Sequence, residues 1–218
     1  MALLSRLLLW IGFQPPPPPP PVSRGALLGF LAELSSTSSA ALYRFSLLEQ
    51  AAGEWLRLRD RLAREGRLTI DDRGAQLQEQ TRIFEALEAF LAAWTRVSLI
   101  LFPASRSSTA RRRAKALRAA MGMTQASPLT ERSLRDGWIH FDERLDKAGT
   151  TIEAGACRPF VHSSEVTETR KRLCVRIVEV NTLIVWCHDR WGRPVPTDLR
   201  RLIKGLRELG PRIHLISS

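Results

Sequence analysis

Two long stretches of this chain carry apolar residues at steps of three and four positions, which is the spacing of one face of an α-helix. In the first stretch, residues 38–65, they are Leu42, Phe45, Leu48, Ala52, Trp55, Leu58 and Leu62. In the second stretch, residues 74–101, they are Leu77, Ile83, Phe84, Leu87, Phe90, Leu91, Trp94 and Val97. Because the second apolar face is wide, the chain is predicted to be a helical bundle with this helix near its centre.

The ends of the first helix are marked by polar residues and by a glycine. Either Ser38 or Ser39 is predicted to cap its start, and Gly66 is predicted to end it. Residues 26–34 form either a short separate helix or an extension of this one. The Ser/Thr run at 35–39 favours a break between them.

Two more helices are predicted after Pro103, which ends the second helix because its ring cannot continue one. Thr109 is predicted to cap a third helix at about 110–121. A fourth helix follows at about 129–148.

The last third of the chain changes from helical spacing to short apolar runs. Residues 173–178 and 182–187 are predicted to be two strands, and residues 191–196 a loop. Thr197 is predicted to cap a last helix at about 198–209. The predicted fold class is therefore mainly α, a helical bundle with a small C-terminal β-hairpin and one closing helix.

This pattern divides the chain into three predicted parts. Residues 1–22 are an apolar and proline-rich leader, residues 23–150 the helical bundle, and residues 151–218 a loop, hairpin and terminal helix packed on that bundle. The leader is predicted to be disordered, because the prolines at 15–21 favour an extended chain without internal hydrogen bonds. The apolar run at 1–13 falls short of the ~20 residues that span a bilayer. A peripheral membrane anchor at 1–13 stays open as an alternative.

The charge of the chain points to polyanionic partners. Lys and Arg number 33 against 22 Asp and Glu, which gives a formal net charge of +11. Such a surplus attracts nucleic acids, and the binding weakens as salt is added.

Cysteine usage indicates a reducing compartment. The chain has three cysteines, Cys157, Cys174 and Cys187, without a CxxC pair. An odd number with this spacing favours neither a disulfide framework nor a zinc site. A cytoplasmic protein without a metal or cofactor is therefore expected.

The stretch Arg135-Asp136-Gly137-Trp138-Ile139-His140 combines a cation, a carboxylate and an imidazole within the predicted fourth helix. On an ideal helix Asp136 lies one turn before His140 and can orient its ring. Arg135 is displaced from His140 by roughly 140° around the axis and ~7.5 Å along it. The two side chains can therefore reach one phosphate only if the helix is distorted at Gly137 or if a second copy contributes.

This Arg-polar-x-x-x-His pattern resembles the signature of the HEPN superfamily, small all-helical proteins that include many ribonucleases. The following residues 141–146 also resemble a stretch found in bacterial helical proteins that finish with a strand pair and a short helix. The resemblance implies a metal-independent endoribonuclease that leaves 2′,3′-cyclic phosphate ends and acts as a toxin or phage-defence effector. It also implies a homodimer, with RNA and an antitoxin or defence protein as partners.

The resemblance further implies roles for individual residues. His140 would act as general acid or base, Arg135 would hold the phosphate, and Asp136 would orient one of them. A basic cluster on the third helix would steer RNA toward them. Its candidate nucleic-acid-binding residues are Arg111, Arg112, Arg113, Lys115 and Arg118, with Arg132 at the start of the fourth helix.

Three functions remain open at this stage: a HEPN-like ribonuclease, a non-catalytic basic scaffold or nucleic-acid-binding module, and a peripheral membrane protein. His140 can equally be a helix histidine bonded to Asp136, and Arg135 can pair with Glu131. A basic run is also typical of a solvated helix face. The chain lacks the GxxxxGK[ST], GxGxxG, HExxH and GxSxG patterns, which disfavours the enzyme classes that depend on them.

Overall fold

A computed structural model describes residues 22–66, 70–104, 107–123, 127–131, 134, 136, 160–174, 176–189 and 191–217. The helices are α1 (Arg24–Glu65), α2 (Ile70–Leu101), α3 (Ser108–Ala120), α4 (Glu168–Leu173), α5 (Leu199–Arg207) and α6 (Leu209–Ser217). The strands are β1 (Phe160–Val161), β2 (Arg176–Glu179), β3 (Ile184–His188) and β4 (Pro194–Asp198). Apart from Val22, the predicted N-terminal leader lies outside the described residues.

Helix α1 runs without interruption for 42 residues, so the predicted break at 35–39 is wrong. The cap is Ser23, whose hydroxyl accepts a hydrogen bond from the Ala26 amide at 3.2 Å, rather than Ser38 or Ser39. Within the polar run, the Thr37 hydroxyl donates a hydrogen bond to Glu33 at 3.1 Å, and both Thr37 and Ser38 are buried. Packing of this face therefore outweighs the weak helix propensity of serine and threonine.

Helices α1 and α2 form an antiparallel pair that builds most of the core. Ion pairs mark the register along it: Glu33 with Arg96 at 2.7 Å, Glu54 with Arg82, and Arg61 with Asp72 at 3.7 Å. Inside the pair, the Phe45 and Phe90 rings lie 5.5 Å apart, and the rest of both apolar stripes is largely buried. Leu77 and Phe84 of the predicted α2 stripe are exposed, because that face is wider than the core that covers it.

The predicted ends of these helices are confirmed. Gly66 ends α1 in the left-handed region at φ 65°, which a residue without a Cβ adopts at little cost. Helix α2 ends at Leu101, two residues before Pro103. Helix α3 is confirmed, but its cap is Ser107 instead of Thr109.

The predicted fourth helix, 129–148, lies mostly outside the described residues. At its start the structure has a single 3₁₀ turn, Pro128–Thr130, which packs on α5 and α2. Leu134 and Asp136 are described as helical positions, and Leu134 is 1% exposed within the main core.

The C-terminal sheet has four strands in the order β1-β2-β3-β4, so it is larger than the predicted hairpin. The hairpin itself is β2 and β3, which pair antiparallel. The predicted loop at 191–196 is wrong in its second half, since β4 pairs antiparallel with β3. Pro194 and Pro196 are tolerated there because β4 lies at the edge of the sheet.

The sheet packs one face on the bundle and the other under α4. Val178, Val185 and Cys187 face the main core. Ile177 and Cys174 form a small second core on the other face. Cys174 and Cys187 are buried, and Cys157 lies outside the described residues.

Two helices, not one, close the chain. Asp198 caps α5 by accepting a hydrogen bond from the Arg200 amide at 2.9 Å, where Thr197 was predicted as the cap. A second helix, α6, follows after Glu208, and both helices pack on α1. Among the helices that the structure describes, none is both long and apolar enough to cross a lipid bilayer.

Candidate nucleic-acid interface

The predicted catalytic constellation falls largely outside the described residues. Arg132, Arg135 and His140 lie outside them, so the structure does not test whether these side chains meet. Asp136 is half-buried in a helical position. Their predicted roles therefore remain predictions. Among the described residues, no group of three His, Cys, Asp or Glu side chains could hold a metal ion.

The predicted basic cluster on α3 divides into packed and exposed cations. The Arg113 guanidinium lies 4.3 Å from the centre of the Phe30 ring, and Arg118 lies 4.9 Å from that of Phe102. Arg118 also donates a hydrogen bond to the Leu101 carbonyl. Both side chains therefore help to hold α3 on the bundle, because cation–π contacts of this kind also bury the arginine stem.

The other α3 cations are more accessible. Arg111 and Lys115 are exposed, and they are one turn apart on the same side of the helix. Arg112 is half-buried. The part of the predicted cluster that can meet a polyanion is therefore narrower than the sequence indicates.

A stronger cationic surface lies on α5, where sequence analysis proposed no site. Leu199, Leu202, Ile203 and Leu206 are buried against the core. Between them, Arg200, Arg201, Lys204 and Arg207 are all exposed, and we term these four residues the α5 cationic face. On an ideal helix they fall within an arc of about 120°.

Ion pairing leaves most of this charge available. Arg200 donates to the Thr182 carbonyl at 2.9 Å. Within the described part of the chain, no carboxylate lies within ion-pair distance of Arg201, Lys204 or Arg207. These three cations therefore stay hydrated and can exchange their counterions for phosphates.

Two adjoining clefts border the α5 cationic face, with volumes of about 500 Å³ and about 320 Å³. Both are lined by Ser127, Pro128 and Arg201. Thr130 and Glu131 line the larger cleft, and Lys204 and Arg212 the smaller one. The clefts therefore lie between α5 and the segment that leads toward the Arg135–His140 motif.

A glycine brings these two segments close together. A Cβ atom on Gly205 would lie 3.3 Å from Leu129 and 3.4 Å from Pro128. The 3₁₀ turn at Pro128–Thr130 therefore rests directly on the α5 backbone, in the space that a side chain would fill.

Arg212 of α6 connects the C-terminal end of α3 to the smaller cleft beside α5. Its guanidinium donates hydrogen bonds of 2.9 Å to the carbonyls of Met121 and Gly122, which follow α3. Such charge-assisted bonds fix the position of the helix end. The C-terminal end of α3, the 3₁₀ turn and α5 therefore form one surface.

The sequence contained a signal for this surface. The cations at 200, 201, 204 and 207 alternate with the apolar residues of α5 at helical spacing, which predicts a charged face opposite a buried one. What it could not predict is that no carboxylate of the described residues forms an ion pair with Arg201, Lys204 or Arg207, because the candidate partners come partly from other elements.

Comparisons with protein-family models, with curated proteins and with solved structures find no match for this chain. Its function is therefore inferred from its own residues.

Proposed function

We propose that this protein binds RNA, and that the α5 cationic face contacts the phosphate backbone. One observation carries the proposal: Arg201, Lys204 and Arg207 are exposed together on two turns of α5, without an ion-pair partner among the described residues. Phosphates are the usual partners of such clustered cations, since each contact releases a condensed counterion.

The spacing of these cations suits a strand of phosphates. From Arg201 to Arg207 the helix rises by about 9 Å. Nucleotides in a stacked strand follow one another every ~3.4 Å. The three side chains can therefore contact two or three successive phosphates.

An anionic membrane surface would attract the same charges, but α5 is poorly built for it. An amphipathic helix binds a membrane by burying its apolar face among the lipids. In α5 that face is already buried, with Leu199, Leu202 and Leu206 no more than 1% exposed. The helix offers charge without an apolar anchor, which favours a nucleic acid over a membrane surface.

The experiment is a binding titration with a fluorescently labelled single-stranded RNA at low salt. A variant with Arg201, Lys204 and Arg207 replaced by glutamine should bind at least 10-fold more weakly than the natural chain. A matched control replaces Arg24, Arg64 and Arg73, three exposed arginines of α1 and α2, by glutamine. Equal losses in both variants would show that net charge alone drives binding and would exclude a site on α5.

RNA cleavage by Arg135, Asp136 and His140 is a second candidate, based on the resemblance to the HEPN superfamily. What supports it is the course of the chain: Glu131 lines the larger cleft beside Arg201, and Leu134 is buried in the main core. The segment that carries the motif thus starts at the proposed RNA surface. In this second proposal the chain is a homodimer in which two motifs share one cleft.

Cleavage is tested by incubating the protein with total RNA in EDTA, which removes metal-dependent nucleases. New 2′,3′-cyclic phosphate ends are expected, and His140→Ala should abolish them. His214→Ala is the matched control, because His214 is an exposed histidine on α6. Cleavage at an unchanged rate in His140→Ala would exclude His140 as the acid–base group, and a monomer in light scattering would exclude the shared cleft.

A further inference from the structure

The turn between β3 and β4 is tightly held by one carboxylate. Asp189 Oδ1 accepts hydrogen bonds from the backbone amides of Trp191 at 2.9 Å and Arg193 at 3.0 Å. Its Oδ2 pairs with the Arg193 guanidinium, with Nε and Nη2 both at 3.0 Å. Gly192 supplies the left-handed conformation at φ 76° that closes the turn.

This turn presents a large aromatic side chain to solvent. Trp191 is 64% exposed, among the most exposed large apolar residues described. The Arg193 guanidinium lies 4.9 Å from the centre of its ring and so helps to fix the ring plane. An exposed indole in a fixed orientation loses little conformational freedom when a flat partner stacks on it.

We propose that Trp191 stacks on an unpaired base of an RNA strand whose phosphates lie on the α5 cationic face. This inference rests on the proposed function and adds to it that the ligand is single-stranded. In a duplex the bases are stacked on one another and their faces are closed, whereas the bases of a single strand are free to stack on aromatic side chains.

The geometry allows one strand to reach both places. Strand β4 runs directly from the turn to the cap of α5, and its five residues span roughly 17 Å. A stacked dodecamer covers about 40 Å at ~3.4 Å per nucleotide. The RNA dodecamer is therefore long enough to contact Trp191 and Lys204 at the same time.

Charge near the indole favours a nucleic acid over an apolar protein partner. The Arg193 side chain is 70% exposed even though it pairs with Asp189. A guanidinium beside an aromatic ring can contact the phosphate or the second face of a base that the ring holds. An exposed aromatic next to an arginine is a recurring arrangement in proteins that bind single strands.

The test measures affinity for a fluorescently labelled uridine dodecamer and for a duplex RNA of the same length. Trp191→Ala should weaken binding of the single strand by about 5- to 150-fold, the usual effect of losing one stacked base. It should leave duplex binding within twofold of the natural chain. Trp191→Phe keeps a ring and should bind the single strand within about threefold.

Tyr43→Ala is the matched control. Tyr43 is 60% exposed on α1, and Arg44 lies 5.9 Å from its ring, so the variant also removes an exposed aromatic beside an arginine. It should leave both affinities unchanged. Circular dichroism of each variant checks that the fold is kept, as expected for changes at exposed side chains.

The outcomes separate this inference from the proposed function. If Trp191→Ala binds the dodecamer like the natural chain while the α5 glutamine variant does not, the stacking role is wrong and the phosphate site stands. Equal weakening of single-strand and duplex binding in Trp191→Ala would also overturn it. If the α5 glutamine variant binds normally, the proposed function fails, and the stacking role that depends on it fails too.

Discussion

Ser38 and Ser98 are both buried serines, but they differ in whether the hydroxyl forms a hydrogen bond. Both lie in long helices and are no more than 5% exposed. The Ser98 hydroxyl donates to the Leu129 carbonyl at 2.9 Å, whereas the Ser38 hydroxyl has no hydrogen-bond partner among the described residues. An unsatisfied buried hydroxyl costs about 1–3 kcal/mol, so the two serines should respond oppositely to substitution.

We therefore expect Ser38→Ala to raise the free energy of unfolding by about 1 kcal/mol, because it removes the unsatisfied group and adds a better helix former. Ser98→Ala should lower it by about 1–2 kcal/mol, since the Leu129 carbonyl loses its donor. Urea unfolding of the two variants checks both. A loss of stability in Ser38→Ala would indicate that its hydroxyl is hydrogen-bonded, for instance to a buried water.

The basic residues of α3 show what sequence alone can decide at this scale. The run Arg111–Arg118 predicts a cationic surface, and Arg111 and Lys115 are exposed as expected. Arg113 and Arg118 instead pack on phenylalanines from outside α3. No local sequence pattern distinguishes the exposed pair from the packed pair, because the phenylalanine rings that contact Arg113 and Arg118 lie outside α3.

Among the elements, the turn between β3 and β4 should respond to pH. Desolvation raises the pKa of Asp189, but hydrogen bonds from the Arg193 and Trp191 amides and the Arg193 guanidinium outweigh it, so the pKa lies below its ordinary value. A lowered folded-state pKa stabilises the turn above the unfolded value of about 3.9. This contribution is lost as the pH falls from there through the folded-state pKa.

The expected result is a shift of the Trp191 and Arg193 amide signals in an NMR titration, with a midpoint below about 3.9. Asp189→Asn keeps an acceptor oxygen but cannot titrate, so this transition should be absent from the variant. A midpoint at or above 3.9 in the natural chain would mean that these hydrogen bonds do not favour the ionised form.

The contact of α5 with the 3₁₀ turn should be sensitive to a side chain at Gly205. Its added Cβ would press on Leu129 and Pro128, and a leucine there should lower the free energy of unfolding by about 1–3 kcal/mol. At Gly29 of α1 nothing lies within 4 Å of an added Cβ. Gly29→Leu should therefore raise stability by up to ~1 kcal/mol, since leucine is the better helix former. Chemical unfolding of both variants measures these two changes in the free energy of unfolding. If Gly205→Leu left that free energy unchanged, the close packing of α5 on the 3₁₀ turn would be contradicted.

Elements with their own local signal could be predicted, and those that depend on distant partners could not. The periodicity of α1 and α2, Gly66 and Pro103 describe local preferences, and the structure confirms them. Strand β4 has two prolines and little alternation, and it is a strand only because the edge of β3 pairs with it. The cap of α3, Ser107, lies two residues before the predicted Thr109, and the cap of α5, Asp198, lies one residue after the predicted Thr197.

For the whole molecule, the mainly helical fold follows from the spacing of apolar residues, but the location of the candidate site does not. The net charge of +11 predicts a polyanionic partner without saying where it binds. The α5 cationic face becomes distinct only when Leu202 and its neighbours are buried and when Arg201, Lys204 and Arg207 are left without an ion pair among the described residues. The packing of the chain thus turns an overall charge surplus into a local surface.

The dependence of RNA binding on salt should reveal that local surface. For a single strand, the logarithm of the binding constant falls with the logarithm of the salt concentration with a slope of about −0.7 per phosphate contacted. Replacing Arg201, Lys204 and Arg207 by glutamine should therefore reduce the magnitude of this slope by up to ~2. The control variant, in which Arg24, Arg64 and Arg73 are replaced by glutamine, has the same net charge as the α5 variant. It should keep the slope of the natural chain. Fluorescence titrations from about 50 to 200 mM salt measure both slopes. If the control loses as much slope as the α5 variant, the counterions are released over the whole surface and RNA does not select α5.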